Sequence, residues 1–170
     1  MNPFQSVRLE KVTLNVGVGE GGEKLQNAKT LLETITGKTA VITKARVRNP
    51  TFKIRQGDPI GVKITVRGKS AADVLNRALE SVDKIVSPKS FDNNGNVSFG
   101  IKEYIDFPGI QYDPKIGMLG FDVCITLKKA GKRVAYRLIR KSRVGRKQTV
   151  SREEAQKFLQ EKFGVLFPAE

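Results

Sequence analysis

A glycine-rich stretch is the first feature of the sequence that could bind a ligand. Residues 17–22 read Gly-Val-Gly-Glu-Gly-Gly, which matches the G-x-G-x-x-G pattern of dinucleotide-binding loops, and they fall between a predicted strand and a predicted helix. Lys44 and Arg46 stand where such enzymes carry an acidic ribose ligand, and the next connection runs from strand to strand. The same glycines would let the backbone approach an RNA phosphate at a helix N-terminus. A dinucleotide-dependent enzyme therefore stays open as the alternative to RNA binding.

Most other catalytic and metal-binding chemistry is excluded by the residue types present. The chain has no histidine, which excludes His-dependent general bases, Ser-His-Asp and Cys-His nucleophiles and His-ligated metals. Its one cysteine, Cys124, excludes an internal disulfide or a cysteine-cluster zinc site and suits a reducing compartment. Asp106, Asp113 and Asp122 have no paired spacing for acid–base catalysis. We therefore expect no catalytic residue, no metal and no cofactor.

Two shorter motifs resemble the ends of phosphate-binding loops. They are Gly-Lys-Thr at residues 37–39 and Gly-Lys-Ser at residues 68–70. A nucleoside triphosphate loop needs a glycine five residues before its second glycine, and Leu32 and Lys63 occupy those two positions. Both motifs therefore fail as triphosphate sites.

Positive charge is segregated along the chain. The 170 residues carry 31 Lys and Arg against 17 Asp and Glu, a formal net charge of +14 at pH 7. Residues 38–69 hold nine basic side chains and one acidic, and residues 128–152 hold eleven basic and none acidic. The rest of the chain is net negative. Such clustering is typical of a phosphate-binding surface rather than of a general solubilising charge, so we expect a polyanionic partner.

The length and composition favour one folded domain that is not exported. A chain of 170 residues with 39% hydrophobic residues can bury a core, and we expect one domain over residues 1–170. Residues 1–5 have no basic segment followed by an apolar stretch, so we expect no signal sequence. No apolar run approaches the roughly 20 residues that span a bilayer, so we expect no membrane partner. These features indicate the cytoplasm.

Hydrophobic periodicity predicts the element order βαββαβββα. Alternation predicts strands at residues 12–16, 41–47, 60–66, 97–101, 119–127 and 134–138, with the last two joined in a C-terminal hairpin by a turn at residues 129–132. Helical spacing predicts three helices, at residues 25–35, 70–85 and 151–163, with capping signals at Ser70 and Ser151. The opening βαββαβ is a split βαβ arrangement like that of ferredoxin and RNA-recognition-motif folds, with helices on one face of an antiparallel sheet. The predicted fold class is α+β.

If the apolar strand residues face the helices, the polar residues of the first three strands share the opposite face. These residues are Lys11, Thr13, Asn15, Lys44, Arg46, Lys63, Thr65 and Arg67. Five of the eight are cations, which an amphipathic strand alone does not require. None is a Phe or Tyr on which an unpaired base could stack, so we expect contacts to the backbone and 2′-hydroxyls of a largely paired RNA. The predicted RNA-binding set is completed by Gly17, Gly19 and Lys38.

Two more basic segments lie outside these strands. Residues 46–57, here called the finger, combine four cations with one phenylalanine and turn residues, which predicts a protruding loop that grips an RNA backbone. The alternative is a mobile loop without a partner. The candidate contact residues of the finger are Arg48, Asn49, Thr51, Phe52, Lys53, Arg55, Gln56 and Gly57. A second basic surface follows the last predicted strand and either contacts RNA or orders only on binding. It consists of Arg137, Arg140, Lys141, Arg143, Arg146 and Lys147.

Six ordered blocks give the sequence a resemblance to a known family. They read LNVGVGE at residues 14–20, ITKAR at 42–46, KIRQGDPIG at 53–61, KITVRG at 63–68, SFD with GNVSFG between 90 and 100, and FPG at 107–109. In this order they resemble the universal ribosomal proteins of the L-five family in its archaeal form. The family commonly has Gly-Gln where this chain has Gly-Lys at residues 37–38, so a cationic lysine stands here in place of a neutral amide.

The resemblance implies a structural component of the large ribosomal subunit and not an enzyme. It implies binding to 5S rRNA and its attachment in the central protuberance, beside 23S rRNA and other large-subunit proteins. It also implies contact with a small-subunit protein at an intersubunit bridge and with the P-site tRNA. By motif match, Asn15, Lys44, Thr65 and Arg67 would contact 5S rRNA, and the finger would point toward the tRNA. An RNA-binding module that acts outside the ribosome is the remaining alternative.

Overall fold

The computed structural model describes residues 5–168 and shows one five-stranded antiparallel sheet with three helices. The strands are β1 (Val7–Gly17), β2 (Val41–Lys44), β3 (Pro59–Val66), β4 (Val97–Ile101) and β5 (Phe121–Lys129), in the spatial order β2-β3-β1-β5-β4. The helices are α1 (Glu23–Thr36), α2 (Lys69–Glu80) and α3 (Arg152–Phe163). The predicted α+β class is confirmed. Most of the N-terminal segment used to exclude a signal sequence, residues 1–4, lies outside the described residues.

The helices pack against one face of the sheet. Val12, Leu14 and Val16 of β1 are at most 2% exposed and join one apolar core with the buried side chains of all three helices. Burying such a side chain contributes about 1.5–3 kcal/mol, so the core decides which face of each strand turns inward. Because side chains alternate along a strand, the intervening polar residues must lie on the opposite face.

Strand β3 lies between β1 and β2, so the β1-α1-β2 unit is split as the sequence predicts. The β1–β3 ladder is antiparallel and regular from Val12–Val66 to Gly17–Gly61. On its other edge β1 pairs with β5, while β4, the strand that follows α2, lies at the edge of the sheet. Strand β1 is therefore central. It begins at Val7, N-terminal to the predicted strand at residues 12–16.

The helix boundaries match the sequence signals at three ends. Gly37 and Gly164 adopt left-handed conformations, with φ of 64° and 66°, and end α1 and α3 as predicted. Ser151 forms the predicted capping box, in which its side chain accepts from the Glu154 amide and the Glu154 carboxylate accepts from the Ser151 amide. These local signals suffice because each satisfies backbone groups within one helical turn.

The predicted extent of α2 is wrong at both ends. The helix begins at Lys69 with Gly68 as its N-cap, and neither Ser70 nor another side chain caps it. It ends at Glu80 rather than near residue 85, because Asp83 and Lys84 adopt left-handed conformations that turn the chain. The chain then bridges to the segment after α3, where the Val86 amide donates to the Leu166 carbonyl.

The predicted C-terminal hairpin is also wrong. Residues 134–138 form no strand, and Lys132–Ala135 is instead a 3-10 turn stabilised by local hydrogen bonds such as that from the Val134 amide to the Gly131 carbonyl. Strand β5 is already paired with β1 from Asp122 to Lys129 and with β4 from Phe121 to Ile125. A returning strand therefore finds no free edge of sufficient length, although the alternation of its apolar residues is intact.

Candidate nucleic-acid interface

The polar side chains of β1 and β3 share the sheet face opposite the helices, here called the open face. The register places Asn15 beside Lys63 and Thr13 beside Thr65. Lys63 is exposed, and the other three are half-buried between neighbouring strands. Directly opposed residues of an antiparallel pair have Cβ atoms about 4.5–5.5 Å apart, so these side chains form continuous rows. Two of the predicted strands thus bring their polar residues to one surface.

Arg67 and Lys11 extend these rows at one end of the open face. Arg67 is the exposed residue directly after β3, one position beyond the Val12–Val66 pair, which places it beside Lys11. Six of the predicted residues therefore converge: Lys11, Thr13, Asn15, Lys63, Thr65 and Arg67.

The predicted strand at residues 41–47 is wrong beyond Lys44, so Arg46 lies outside the sheet. Strand β2 ends at Lys44, and it is Val41 that pairs with Lys63 on the open face. The register shifts between Thr43 and Lys44, which then pairs with Pro59. Proline has no amide hydrogen to donate, so the regular ladder ends there. Both predicted cations are exposed. Lys44 lies beside Pro59, which shares its face of β3 with Gly61 and Lys63, whereas Arg46 follows the strand.

Strand β5 also contributes side chains to the open face. The sequence analysis predicted this strand but did not place it beside β1. Its register with β1 places Asp122 beside Asn15, Cys124 beside Thr13 and Lys128 beside Arg8. The alternation of β5 was predictable, but its position beside β1 was not, because the two strands are separated by about 100 residues and no local signal joins them. The open face is therefore cationic at Arg8, Lys11, Lys63, Arg67 and Lys128, with carboxylates at Asp122 and, near Lys128, at Glu10.

Partial burial and the neighbouring Asp122 charge both raise the pKa of Cys124. The thiol therefore stays protonated at neutral pH and adds a small, uncharged group to the middle of the face.

The glycine-rich loop connects the end of β1 to α1 at one end of the sheet. Gly17 is exposed, and a Cβ atom added there would meet no atom within 4 Å. Gly19 has φ of 80°, a conformation that glycine adopts without strain, and its amide donates to the Ile60 carbonyl. Lys38 is exposed in the turn between α1 and β2, away from the rows of the open face.

The finger protrudes and has a defined conformation. Asn49 and Ile54 exchange two backbone hydrogen bonds of 2.9 and 3.0 Å, which closes a short hairpin with Phe52 71% exposed near its tip. At its base the Asp58 carboxylate accepts from the Arg55 amide at 2.7 Å. Its eight predicted contact residues are all exposed: Arg48, Asn49, Thr51, Phe52, Lys53, Arg55, Gln56 and Gly57.

The second basic surface is an exposed segment attached to the end of β5. Its six cations are all exposed: Arg137, Arg140, Lys141, Arg143, Arg146 and Lys147. The Gln148 side-chain amide donates to the Ala130 carbonyl, and the Lys129 ammonium donates to the Lys147 carbonyl and to Glu154. These contacts hold the end of the segment close to the sheet, so its cations flank the open face rather than form part of it.

The charges around Lys129 explain how a lysine is accommodated in the core. Lys129 is 5% exposed and lies 2.7 Å from the Glu154 carboxylate. Partial burial raises the pKa of Glu154, but hydrogen bonds from Lys129 and Ser151 and the Lys129 charge together lower it further, so the net pKa lies below its ordinary value. A charge-assisted hydrogen bond of this kind stabilises the docking of α3 on the sheet.

Metal clusters, membrane-spanning helices and a dinucleotide fold are each absent from the described residues. Within residues 5–168, no group of three or more Cys, Asp or Glu side chains could hold a metal ion. In the same residues no helix has the length and apolar character to cross a bilayer. Strands β1 and β2 are separated by β3 in an antiparallel sheet, so the glycine-rich loop lacks the adjacent parallel strand of a dinucleotide fold.

Comparison with known proteins decides between the remaining possibilities. Residues 2–55 match the family model described as ribosomal protein L5, and residues 59–158 match the model described as the C-terminus of the same ribosomal family. The chain belongs to the L5 family of ribosomal proteins. The predicted family is confirmed, and with it the prediction that the chain is a structural ribosomal protein and not an enzyme. Its location is ribosomal and cytoplasmic.

Three curated archaeal relatives show how far the similarity to this L5-family chain extends. Large ribosomal subunit protein uL5 of Sulfurisphaera tokodaii is 49% identical and covers 97% of this chain and 94% of its own length. The uL5 of Methanobrevibacter smithii is 44% identical over the full length of both chains. The uL5 of Pyrobaculum aerophilum is 47% identical over 96% of this chain and 92% of its own. The open face, the second basic surface and residues 46–55 of the finger lie within the two matched family models.

Proposed function

We propose that this chain is a component of the large ribosomal subunit that binds 5S rRNA through the open face and attaches it in the central protuberance. The names of the relatives place those proteins in the large subunit. The observation that carries the proposal is the convergence of polar β1 and β3 side chains, in register, on a sheet face that the helices do not cover. Cations there offset phosphate repulsion, and the hydroxyl and amide groups fix the register of the RNA.

The chemistry of the face favours a folded, largely paired RNA. Thr13 and Thr65 form one row, and Asn15 and Lys63 form the next. These side chains can donate to and accept from 2′-hydroxyls and phosphate oxygens, which a paired RNA displays along its shallow groove. None of the side chains in these rows is aromatic, so the rows offer no platform for splayed bases. Gly17 supports close approach, because nothing projects from the backbone there.

The finger and the second basic surface are proposed to meet other partners. The finger is a folded protrusion, so it reaches beyond the open face, and we assign to it the contact with the P-site tRNA. The second basic surface contacts 23S rRNA or orders further when it binds. Contacts with a small-subunit protein at an intersubunit bridge and with other large-subunit proteins complete the proposed set of partners.

A pair of double variants with equal charge loss tests the division between face and finger. Replacing Lys63 and Arg67 by Ala removes two cations from the open face, and replacing Arg48 and Arg55 by Ala removes two from the finger. All four side chains are exposed, so both variants should keep the fold. We expect the face variant to lose at least about tenfold in affinity for 5S rRNA in gel-shift titrations, while the finger variant stays within about twofold.

The proposal fails if the finger variant loses as much affinity for 5S rRNA as the face variant. Wild-type protein that does not bind 5S rRNA would also contradict it. Cofractionation with large subunits in a sucrose gradient separates the ribosomal role from that of an RNA-binding module outside the ribosome. Migration with small ribonucleoproteins alone would favour the latter.

A further inference from the structure

A cationic groove lies where the segment after β5 rises beside one end of the open face. Its volume is about 450 Å³, within the range of roughly 300–1,000 Å³ typical of ligand pockets. Lys11 and Lys128 line it from the open face, and Lys132 and Tyr136 line it from the segment after β5. The groove exists because that segment forms a 3-10 turn instead of the second strand of a hairpin.

The lysines of the groove favour an anion. Glu10 lies 3.9 Å from the ammonium groups of both Lys128 and Lys132, too far for a hydrogen bond to either. It therefore holds the two cations near each other without using their donors. With Lys11 added, three positive charges face the carboxylates of Glu10 and, near Lys132, Asp92, and the remaining surplus of one suits a phosphate group.

The same groove carries groups that recognise a base. Tyr136 is 64% exposed, which leaves its ring accessible for stacking. The side-chain amide nitrogen of Asn96 donates to Asp92, which leaves its Oδ1 atom buried and without a hydrogen-bond partner among the described residues. Asn96 lines the groove, and a small rotation of its side chain would turn this oxygen toward an exocyclic amine or a hydroxyl of a bound base.

We infer that the groove binds one unpaired nucleotide of the RNA that lies on the open face. The phosphate contacts Lys11, Lys128 and Lys132, and the base stacks on Tyr136. The inference rests on the proposed function, because Lys11 belongs both to the groove and to the open face and so joins the two surfaces. The β1 and β3 rows of the open face contain no aromatic side chain and would contact the paired part of the RNA. One extruded base, stacked on Tyr136, would fix the register of that RNA.

The test compares two short RNA hairpins that differ only in one bulged nucleotide, the fluorescent adenine analogue 2-aminopurine. The wild-type protein should bind the bulged hairpin about tenfold more tightly than the flush hairpin and should quench the analogue's fluorescence. Tyr136→Ala should abolish both the preference and the quenching while keeping the affinity for the flush hairpin. Tyr136→Phe, the matched control, keeps the ring and should keep the preference. A thermal melt of each variant confirms that the exposed substitution leaves the fold intact.

Equal wild-type affinity for the two hairpins would overturn the inference and leave the proposed function standing. A preference that survives Tyr136→Ala would overturn it as well. Displacement of the bulged RNA by micromolar AMP would assign the groove to a free nucleotide instead. Failure of the wild-type protein to bind either hairpin or 5S rRNA would overturn the proposed function and this inference together.

Discussion

At the scale of single residues, two glycines that pair across β1 and β3 differ in whether they have room for a side chain. A Cβ atom at Gly61 would lie 2.7 Å from the Val16 carbonyl oxygen and 3.0 Å from the Thr43 hydroxyl oxygen, whereas one at Gly17 would meet nothing within 4 Å. The first contact is with backbone and cannot move aside cheaply. The same residue type is thus required by packing at one position and leaves room for a partner at the other.

We therefore expect Gly61→Ala to lower the free energy of unfolding by about 1–3 kcal/mol, because the strands must separate to admit the methyl group. Gly17→Ala, the matched control, should leave that free energy nearly unchanged and weaken 5S rRNA binding, since its methyl group projects toward the RNA. Urea unfolding and gel-shift titration measure the two effects. Equal stability of the two variants would contradict the contact at Gly61.

The ion pair between Lys129 and Glu154 predicts a dependence of stability on pH. Because the pKa of Glu154 is lowered in the folded protein, its contribution is present above the unfolded pKa and is lost as the pH falls through the folded value. The Glu154 side chain is 42% exposed, so solvent screens the pair. We expect Glu154→Gln to lower the free energy of unfolding by about 1 kcal/mol at pH 7 and to flatten its decrease between about pH 5 and pH 3.

Glu153→Gln is the control for this substitution, because Glu153 is an exposed carboxylate in the same turn of α3. It should leave both the stability at pH 7 and its pH profile close to the wild type. Identical profiles for the two variants, measured by urea unfolding across the pH range, would show that the pair with Lys129 contributes nothing.

At the scale of elements, the finger depends on a few local hydrogen bonds. Removing the carboxylate at Asp58 takes away the acceptor of the Arg55 amide at the base of the hairpin. We expect Asp58→Ala to speed hydrogen exchange at the Arg55 and Ile54 amides while the melting temperature changes little, because the finger adds few buried contacts. Asp73→Ala, an exposed carboxylate of α2, serves as the control. Unchanged exchange in the finger would contradict the proposed role of Asp58.

Helices and strands were predicted correctly where the sequence signal is local. The predictions were wrong where the pairing of distant strands determines the structure. The capping box at Ser151, the glycine stop at Gly37 and the alternation of β3 all reflect interactions within a few residues, and the structure contains each of them. The alternation at residues 134–138 is equally regular, yet β4 pairs with β5 as far as Ile125 and leaves only the last four residues of that edge for another strand. The early end of β2 was not predicted for a related reason, since the register shift opposite Pro59 is visible only once β2 and β3 are paired.

The candidate site was predictable to the same extent. The open-face residues of β1 and β3 follow from the alternation of each strand, because the apolar residues must face the core. The β5 contribution, including Asp122 and Lys128, and the groove beside Tyr136 require the pairing of distant strands, which no single segment encodes.

At the scale of the whole molecule, segregated charge predicts a steep salt dependence. If about six to eight phosphates are neutralised, the logarithm of the association constant should fall with the logarithm of salt concentration at a slope of roughly −5 to −7. The variant lacking Lys63 and Arg67 should show a slope shallower by roughly 2, whereas the finger variant should keep the wild-type slope. Titrations at several KCl concentrations measure all three. Equal slopes for wild type and face variant would contradict phosphate contact by these residues.

The chain is proposed to fold as one domain, although its two matched family models divide at the finger. Strand β1, from the first match, pairs with β3 and β5 from the second, and one apolar core contains side chains from both. We expect urea unfolding followed by far-ultraviolet circular dichroism and by tyrosine fluorescence to give coincident transitions. Two separated transitions would show that the matched halves unfold independently.

The place of β5 beside β1 has a consequence for biogenesis. Translation delivers β1 well before its partner on that side, since β1 ends at Gly17 and β5 is complete only at Lys129. A nascent chain that carries β1, β2 and β3 holds the Lys63 row without the Lys128 flank or the groove. The proposed RNA surface is therefore complete only after β5 and the segment that follows it have left the exit tunnel. This requirement couples synthesis of the chain to the timing of particle assembly.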